Sequence, residues 1–151
     1  TVAITWAEHG DNLVAALAAA DPEPAWKALI APVDVLIVGS KTGVITHSNA
    51  ERVAARAVVP HAPLPYTTRA MLMMERKGAV VVPDFLATAG TVLTDWADGQ
   101  PSVTDAARRV AEAVRAAASH ERGCFLGACF AAEQFLSTWQ ETLPFGRPLA
   151  P

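Results

Sequence analysis

The chain has 151 residues, one domain's worth and enough to bury a core. Hydrophobic residues make up 52% and charged residues only 18%, with a net charge of −3. That balance gives no basic footprint for nucleic acid or a membrane surface, and so thin a charge leaves part of the surface for a partner. The longest apolar runs, four to six residues, cannot span a bilayer, and the start has no secretory pattern, so a soluble, cytoplasmic protein is expected.

In chain order, residues 2–5 read as a strand, and Asp11 caps a helix that Asp21-Pro22 ends near residue 20. Pro24 opens a short helix through Trp26 and Leu29. Residues 33–38 (Val-Asp-Val-Leu-Ile-Val) form a near-continuous apolar run, the pattern of a strand covered on both faces, and Gly39-Ser40 breaks it. Ser48-Asn49-Ala50-Glu51 reads as a capping box before a helix to about residue 55. Residues 57–60 give the next strand, running into the stiff turn His61-Ala62-Pro63-Leu64-Pro65. A helix from about Thr67 carries Ala70, Met71 and Met74 toward the sheet and stops at Gly78. Residues 79–82 supply a fourth strand, and residues 85–96 a helix after Pro83-Asp84.

Beyond the turn at residues 98–101 the pattern becomes helical. Ser102 or Thr104 caps a helix to about residue 119, with Arg108, Arg109 and Arg115 on its wet face. Another helix from Gly123 carries Phe125, Phe130, Phe135 and Trp139, which read as core with an interface as the alternative; a proline-rich tail from residue 143 reads as an extended strap. Cys124 and Cys129, five apart, match neither a redox pair nor a zinc motif and read as buried free thiols in a reducing compartment, with a disulfide or reactive thiol as the alternative. Strands alternating with helical crossovers predict a mainly parallel α/β sheet, whose ligands sit at the carboxyl ends of its strands.

Three of those strand ends carry a recognisable sequence. Residues 36–46 (Leu-Ile-Val-Gly-Ser-Lys-Thr-Gly-Val-Ile-Thr), followed by Asn49-Ala50, are similar to a stretch of the form LIPAALEGVIT with NA after it. Residues 57–67 lie without gaps over AVVEGANGPTT, and residues 78–90 over GILVVPDILANAG. In this order and at this spacing the chain resembles the C-terminal stretch of the coenzyme-binding domain of the glutamate/leucine/phenylalanine/valine dehydrogenase family. The resemblance implies an α/β, Rossmann-like, mostly parallel sheet of about four strands with C-terminal helices. It makes residues 1–100 a partial Rossmann-type coenzyme domain and residues 101–151 a helical extension and tail packed on it.

The resemblance also implies NAD or NADP as cofactor and oxidative deamination of an amino acid as the reaction. It carries cofactor contacts to Gly39 and Ser40 after one strand, to His61, Ala62 and Pro63 after the next, and to Thr88 after the last; Lys41 joins the cofactor-binding candidates from its place at the first of these strand ends. Here the chain departs from the pattern: His61 stands for Gly, Pro63 for Asn and Thr88 for Asn. Pro63 brings no donor of any kind, and Thr88 one hydroxyl in place of an amide. No Gly-x-Gly-x-x-Gly fingerprint occurs, so the strand that would be central in the order 3-2-1-4-5-6 is missing, along with the family's catalytic Lys and Asp. An upstream segment or a second chain is expected to supply them, in an oligomer.

Other residues carry both a sharp and a plain reading. Glu8 is a ribose-hydroxyl candidate or a solvated loop charge; the position in strict register is Trp6. His61 is a base or ligand contact, or simply a turn residue. Lys41 and Thr42 could meet a phosphate or carboxylate, and Asp84 reads as a helix cap. His9, His47 and His120 read as surface residues, and no spacing suggests a metal. The leading expectation is a fragment or subunit of an amino-acid-dehydrogenase-like oxidoreductase. The alternative is a non-catalytic regulatory or binding protein that keeps the fold over a degenerate nicotinamide site. A minor third, raised by Thr1 standing where Met is usual, is a self-cleaved hydrolase subunit with an N-terminal threonine nucleophile.

Overall fold

A computed structural model describes residues 25–39, 41–96 and 101–138. The expected strand at 2–5, the helix at 11–20, Thr1, Trp6, Glu8, His9, Ser40, Trp139 and the tail lie outside them. Helix α1 (Ala25–Ile30) follows Pro24 as expected. Strand β1 (Val35–Val38), strand β2 (Ala57–Pro60) and strand β3 (Val80–Val81) then pair side by side in parallel, in the order β1-β2-β3. Val35 stands opposite Ala57 and Val58 opposite Val81. About four strands were expected; three are found among the described residues.

Strand alternation sends Leu36, Val38, Val58 and Val81 to one face, where they are buried. Helix α2 (Thr68–Arg76) covers that face with Ala70, Met71 and Met74, as its spacing predicts, and Ile45, Val53 and Tyr66 complete the core. The Thr67 side chain caps α2 by accepting from the Ala70 amide at 3.2 Å. Each fully buried aliphatic such as Val58 contributes on the order of 1.5–3 kcal/mol. The opposite face is different. Val35, Ile37 and Val80 are 54%, 66% and 40% exposed, so among the described residues nothing covers that side of the sheet.

Three local readings are corrected. The capping box does not form a helix, only a single 3-10 turn at Ala50–Arg52. Asn49 is spent on the preceding loop, accepting from the Thr46 amide at 2.7 Å and donating to the Val44 carbonyl at 3.0 Å, while Ser48 pairs with the Thr46 hydroxyl. The helix expected over residues 85–96 is two, α3 (Asp84–Ala87) and α4 (Ala89–Trp96), parted at Thr88. Phe130 and Phe135 are not core: they are 51% and 66% exposed, and among the described members of the series only Phe125 packs against the main core.

Helix α5 (Val103–Ala118) begins at Ser102, whose hydroxyl accepts from the Asp105 amide at 3.2 Å. Its arginines face water, Arg108 reaching Glu112 at 2.9 Å. Helix α6 (Cys124–Leu136) packs back on α5 through small residues: an added Cβ at Gly127 would stand 2.2 Å from the Ala117 carbonyl oxygen. Ala117, Cys124 and Ala128 form a second small core against Leu86 of α3. Both cysteines are free, Cys124 buried and Cys129 half-buried.

Candidate functional site

The carboxyl ends of β1 and β2 meet in a backbone-to-backbone approach. The His61 amide donates to the Val38 carbonyl at 2.8 Å, extending the ladder by one bond, and Gly39 lies directly beside it with φ +155°. A Cβ at Gly39 would fall 2.8 Å from the Ala62 amide nitrogen, 2.9 Å from the His61 ring carbon Cδ2 and 3.0 Å from the Ala62 Cβ. Only glycine accepts both that φ and that space. The structure therefore brings together Gly39, His61 and Ala62 of the predicted set.

From there the chain runs through a turn tied to both neighbouring strand ends. Leu64 has φ +53°, a left-handed conformation that costs a leucine roughly 1–2 kcal/mol. Its amide donates to the Asp84 Oδ2 at 2.7 Å, a charge-assisted bond that offsets the strain. The Gly43 amide donates to the Leu64 carbonyl at 2.9 Å, and the Ile45 amide to Pro65 at 3.0 Å. Tyr66 sits beneath, buried, its hydroxyl donating to the Val82 carbonyl. Burial pushes the phenol's pKa far above its usual value, and the charge of Asp84 adds to the shift. A cleft of about 110 Å³ lies here, lined by Leu64, Tyr66, Met71, Asp84 and Phe125 among others.

The remaining predicted residues are spread around this turn. Lys41 and Thr42 are exposed on the loop after β1; Ser40 lies outside the described residues. His61 and Pro63 are exposed, and Ala62 is half-buried. Thr88 caps the end of α3, its hydroxyl donating to the Asp84 carbonyl at 2.8 Å, so its one proton is already committed. Asp84 opens α3, but its carboxylate serves the Leu64 amide rather than its own helix. His47 is exposed as expected; His120 is half-buried against Phe130 at 5.9 Å.

Sequence reasoning overlooked Leu64 and Tyr66. For Leu64 the signal was available: the motif AVVEGANGPTT places a glycine at that position, and the backbone still takes a glycine-like φ. For Tyr66 only burial beside Val82 reveals the role.

The residues present do not fit a nicotinamide held in the manner the resemblance implies. His61 puts an imidazole where the pattern has a glycine, its Cδ2 2.9 Å from where a Gly39 Cβ would stand. Pro63 offers no donor, and the Thr88 hydroxyl is turned into its own helix. A wider cleft of about 640 Å³ opens at the other, amino ends of the strands, beside Asp34, Arg56 and Lys77. Lys77 is engaged there, donating to the Val53 carbonyl at 2.9 Å, and no predicted site residue lies in that cleft. Among the described residues no group of three His, Cys, Asp or Glu side chains could hold a metal, and no helix is long and apolar enough to cross a membrane.

Three parallel strands with helices packed on them form an α/β layer consistent with a Rossmann-like fold. The sequence comparisons carry this further. The family model for glutamate/leucine/phenylalanine/valine dehydrogenase matches residues 5–119, and the chain belongs to that family. It is similar to the glutamate dehydrogenase of Thermotoga maritima, 44% identical over 64 residues, which is 42% of this chain and 15% of that protein. It is also similar to the glutamate dehydrogenase of Aeropyrum pernix, 42% identical over 62 residues, 41% of this chain and 15% of that protein. With the NADP-specific glutamate dehydrogenase of Saccharolobus shibatae it shares 37% identity over 70 residues, 44% of this chain and 16% of that protein. The matched segment thus spans about 15% of the length of these relatives.

Proposed function

We propose that this dehydrogenase-like chain belongs to a protein that keeps the coenzyme-domain scaffold and has lost the hold on a nicotinamide, acting as a binding or regulatory component. The observation that carries this reading is the Thr88 hydroxyl, whose one proton is donated to the Asp84 carbonyl at 2.8 Å and so is not free for a carboxamide. Pro63 weighs in the same direction, because it has no donor to offer. Gly39, Ser40, Lys41, Ala62 and the turn around them remain the candidate ligand edge.

A second reading rests on the family match and the 44% identity to a glutamate dehydrogenase. On it the chain contributes to an NAD- or NADP-dependent amino-acid oxidoreductase. An upstream segment or second chain then supplies the Gly-rich strand, the substrate domain and the acid–base groups. The uncovered sheet face of Val35, Ile37 and Val80 supports such a covering partner on either reading. The helical region from residue 101 belongs with the sheet layer through the Leu86, Ala117 and Cys124 contacts. Free thiols suit a reducing cytoplasm.

The test is turnover of an amino-acid panel by the full protein with NAD and with NADP, alongside a fluorescence titration of the chain with NADH and NADPH. We expect no turnover and no micromolar binding. Amino-acid-dependent reduction of either cofactor would overturn the first reading in favour of the second.

A further inference from the structure

Helix α6 begins without a capping side chain of its own. Its N-cap is Gly123, with φ +96° and no side-chain bond to the first turn. The space beside Gly123 is filled instead by a carboxylate from another element. Glu75, near the end of α2, places Oε1 2.7 Å, Cδ 2.9 Å and Oε2 3.0 Å from where a Gly123 Cβ would stand. The backbone amides of Cys124 and Phe125 favour its charged form, yet Oε1 is buried and has no hydrogen-bond partner among the described residues. A carboxylate at a helix N-terminus gains from the helix dipole, whereas a desolvated, under-bonded one is penalised. The two effects oppose each other at one atom group.

We propose that Glu75 is a proton-responsive latch: a side chain of α2 that takes the place of the missing cap of α6 and sets how firmly the α5–α6 pair holds to the sheet layer. Its reach extends to the strand-end turn. Phe125, in the first turn of α6, packs edge-on against Phe85 of α3 at 6.0 Å and 74°. Asp84, next to Phe85, holds the strained Leu64 amide. Loosening the latch therefore loosens the support of that turn. The inference does not depend on the function proposed above.

The direction follows from burial. Desolvation raises the Glu75 pKa above its ordinary 4.5, with the Phe125 and Cys124 amides pulling the other way. A folded value above the unfolded one means that its stabilising contribution is fully present below about 4.5 and is lost as pH rises through the folded value. Protonation tightens the latch. The other titratable or charged groups around it are Arg76 on its own helix, His120, Glu121 and Arg122 in the cleft between α2 and α6, and Cys124 on α6. Tyr66 adds from the strand-end turn. Burial pushes the Cys124 thiol up to about 11, so it stays neutral in this window.

The test is amide hydrogen exchange of the full chain between about pH 4 and pH 7, corrected for intrinsic rates, read on residues 124–128 and 61–67. In the wild type both segments lose protection as pH rises. Glu75→Gln, which cannot ionise, should give a flat profile, while His120→Asn and Glu121→Gln should leave the wild-type profile in place. Far-UV circular dichroism confirms that each variant is folded. A flat wild-type profile overturns the proposal, as does a Glu75→Gln profile that follows the wild type or a slope that moves with His120 or Glu121 instead.

Discussion

Gly39→Ala probes the closest approach in the candidate site. The new Cβ would stand 2.8 Å from the Ala62 amide nitrogen and 2.9 Å from the His61 ring, at a backbone φ of +155°. Holding a non-glycine residue in that region costs about 1–3 kcal/mol. Relieving two contacts below 3 Å, one of them with backbone, costs about another 1–3 kcal/mol. The expected loss is therefore about 2–5 kcal/mol, against a typical domain stability of about 5–15 kcal/mol. Urea unfolding of the full chain, followed by tryptophan fluorescence and by circular dichroism, measures it, coincidence of the two probes establishing two-state behaviour. His61→Ala in the Gly39→Ala background should recover about 0.5–1 kcal/mol, because it removes only the ring contact and leaves the Ala62 amide in the way. A Gly39→Ala loss under about 0.5 kcal/mol, the range of an ordinary surface change, would refute the close approach and the reading of His61 built on it.

Two further outcomes test the frame around the site. The chain has a single tyrosine, so absorbance near 295 nm reports Tyr66 alone. Burial raises its pKa, so its contribution to stability is fully present below about pH 10 and is lost as pH climbs toward the folded value. Ionisation should be delayed above the usual range and should coincide with unfolding; a step near pH 10 in a folded chain would show the phenol to be exposed. Gly127→Ala puts a Cβ 2.2 Å from the Ala117 carbonyl oxygen, which forces α5 and α6 apart. A loss of at least about 1–3 kcal/mol in urea unfolding is expected, and an unchanged midpoint would contradict the α5–α6 crossing.

How far the fold can be read from the sequence depends on which forces set each element. Residues 57–60 and the helix start near Thr67 are governed by alternation and local capping and lie where expected, and of the two caps open for α5, Ser102 and Thr104, it is Ser102 that caps. The capping box at Ser48 is equally local, yet Asn49 and Ser48 are drawn into bonds with Val44 and Thr46, a competition that the i, i+3 pattern does not encode. For Phe130 and Phe135 hydrophobicity alone leaves core and interface open and favours core. Both stay more than half exposed, which only the packed structure reveals. Within the site, Gly39 and Ala62 were legible as motif positions. The Leu64–Asp84 link joins residues twenty apart and has no periodic signature.

The scaffold and the ligand edge of this chain answer to different constraints. The β1–β2–β3 ladder and the α2 face rest on backbone pairing and apolar burial, which tolerate many side chains of suitable shape. The strand-end turn rests on single positions with no such latitude, and there the two kinds of departure from the family pattern diverge. Leu64 stands where the family pattern has a glycine and takes a left-handed φ, and the Asp84 bond holds it there. His61, Pro63 and Thr88 change what the turn presents: a ring beside Gly39, a missing donor, and a hydroxyl committed to the Asp84 carbonyl. The path of the turn rests on backbone bonds, whereas any ligand would meet its side chains, so the two can change independently of each other.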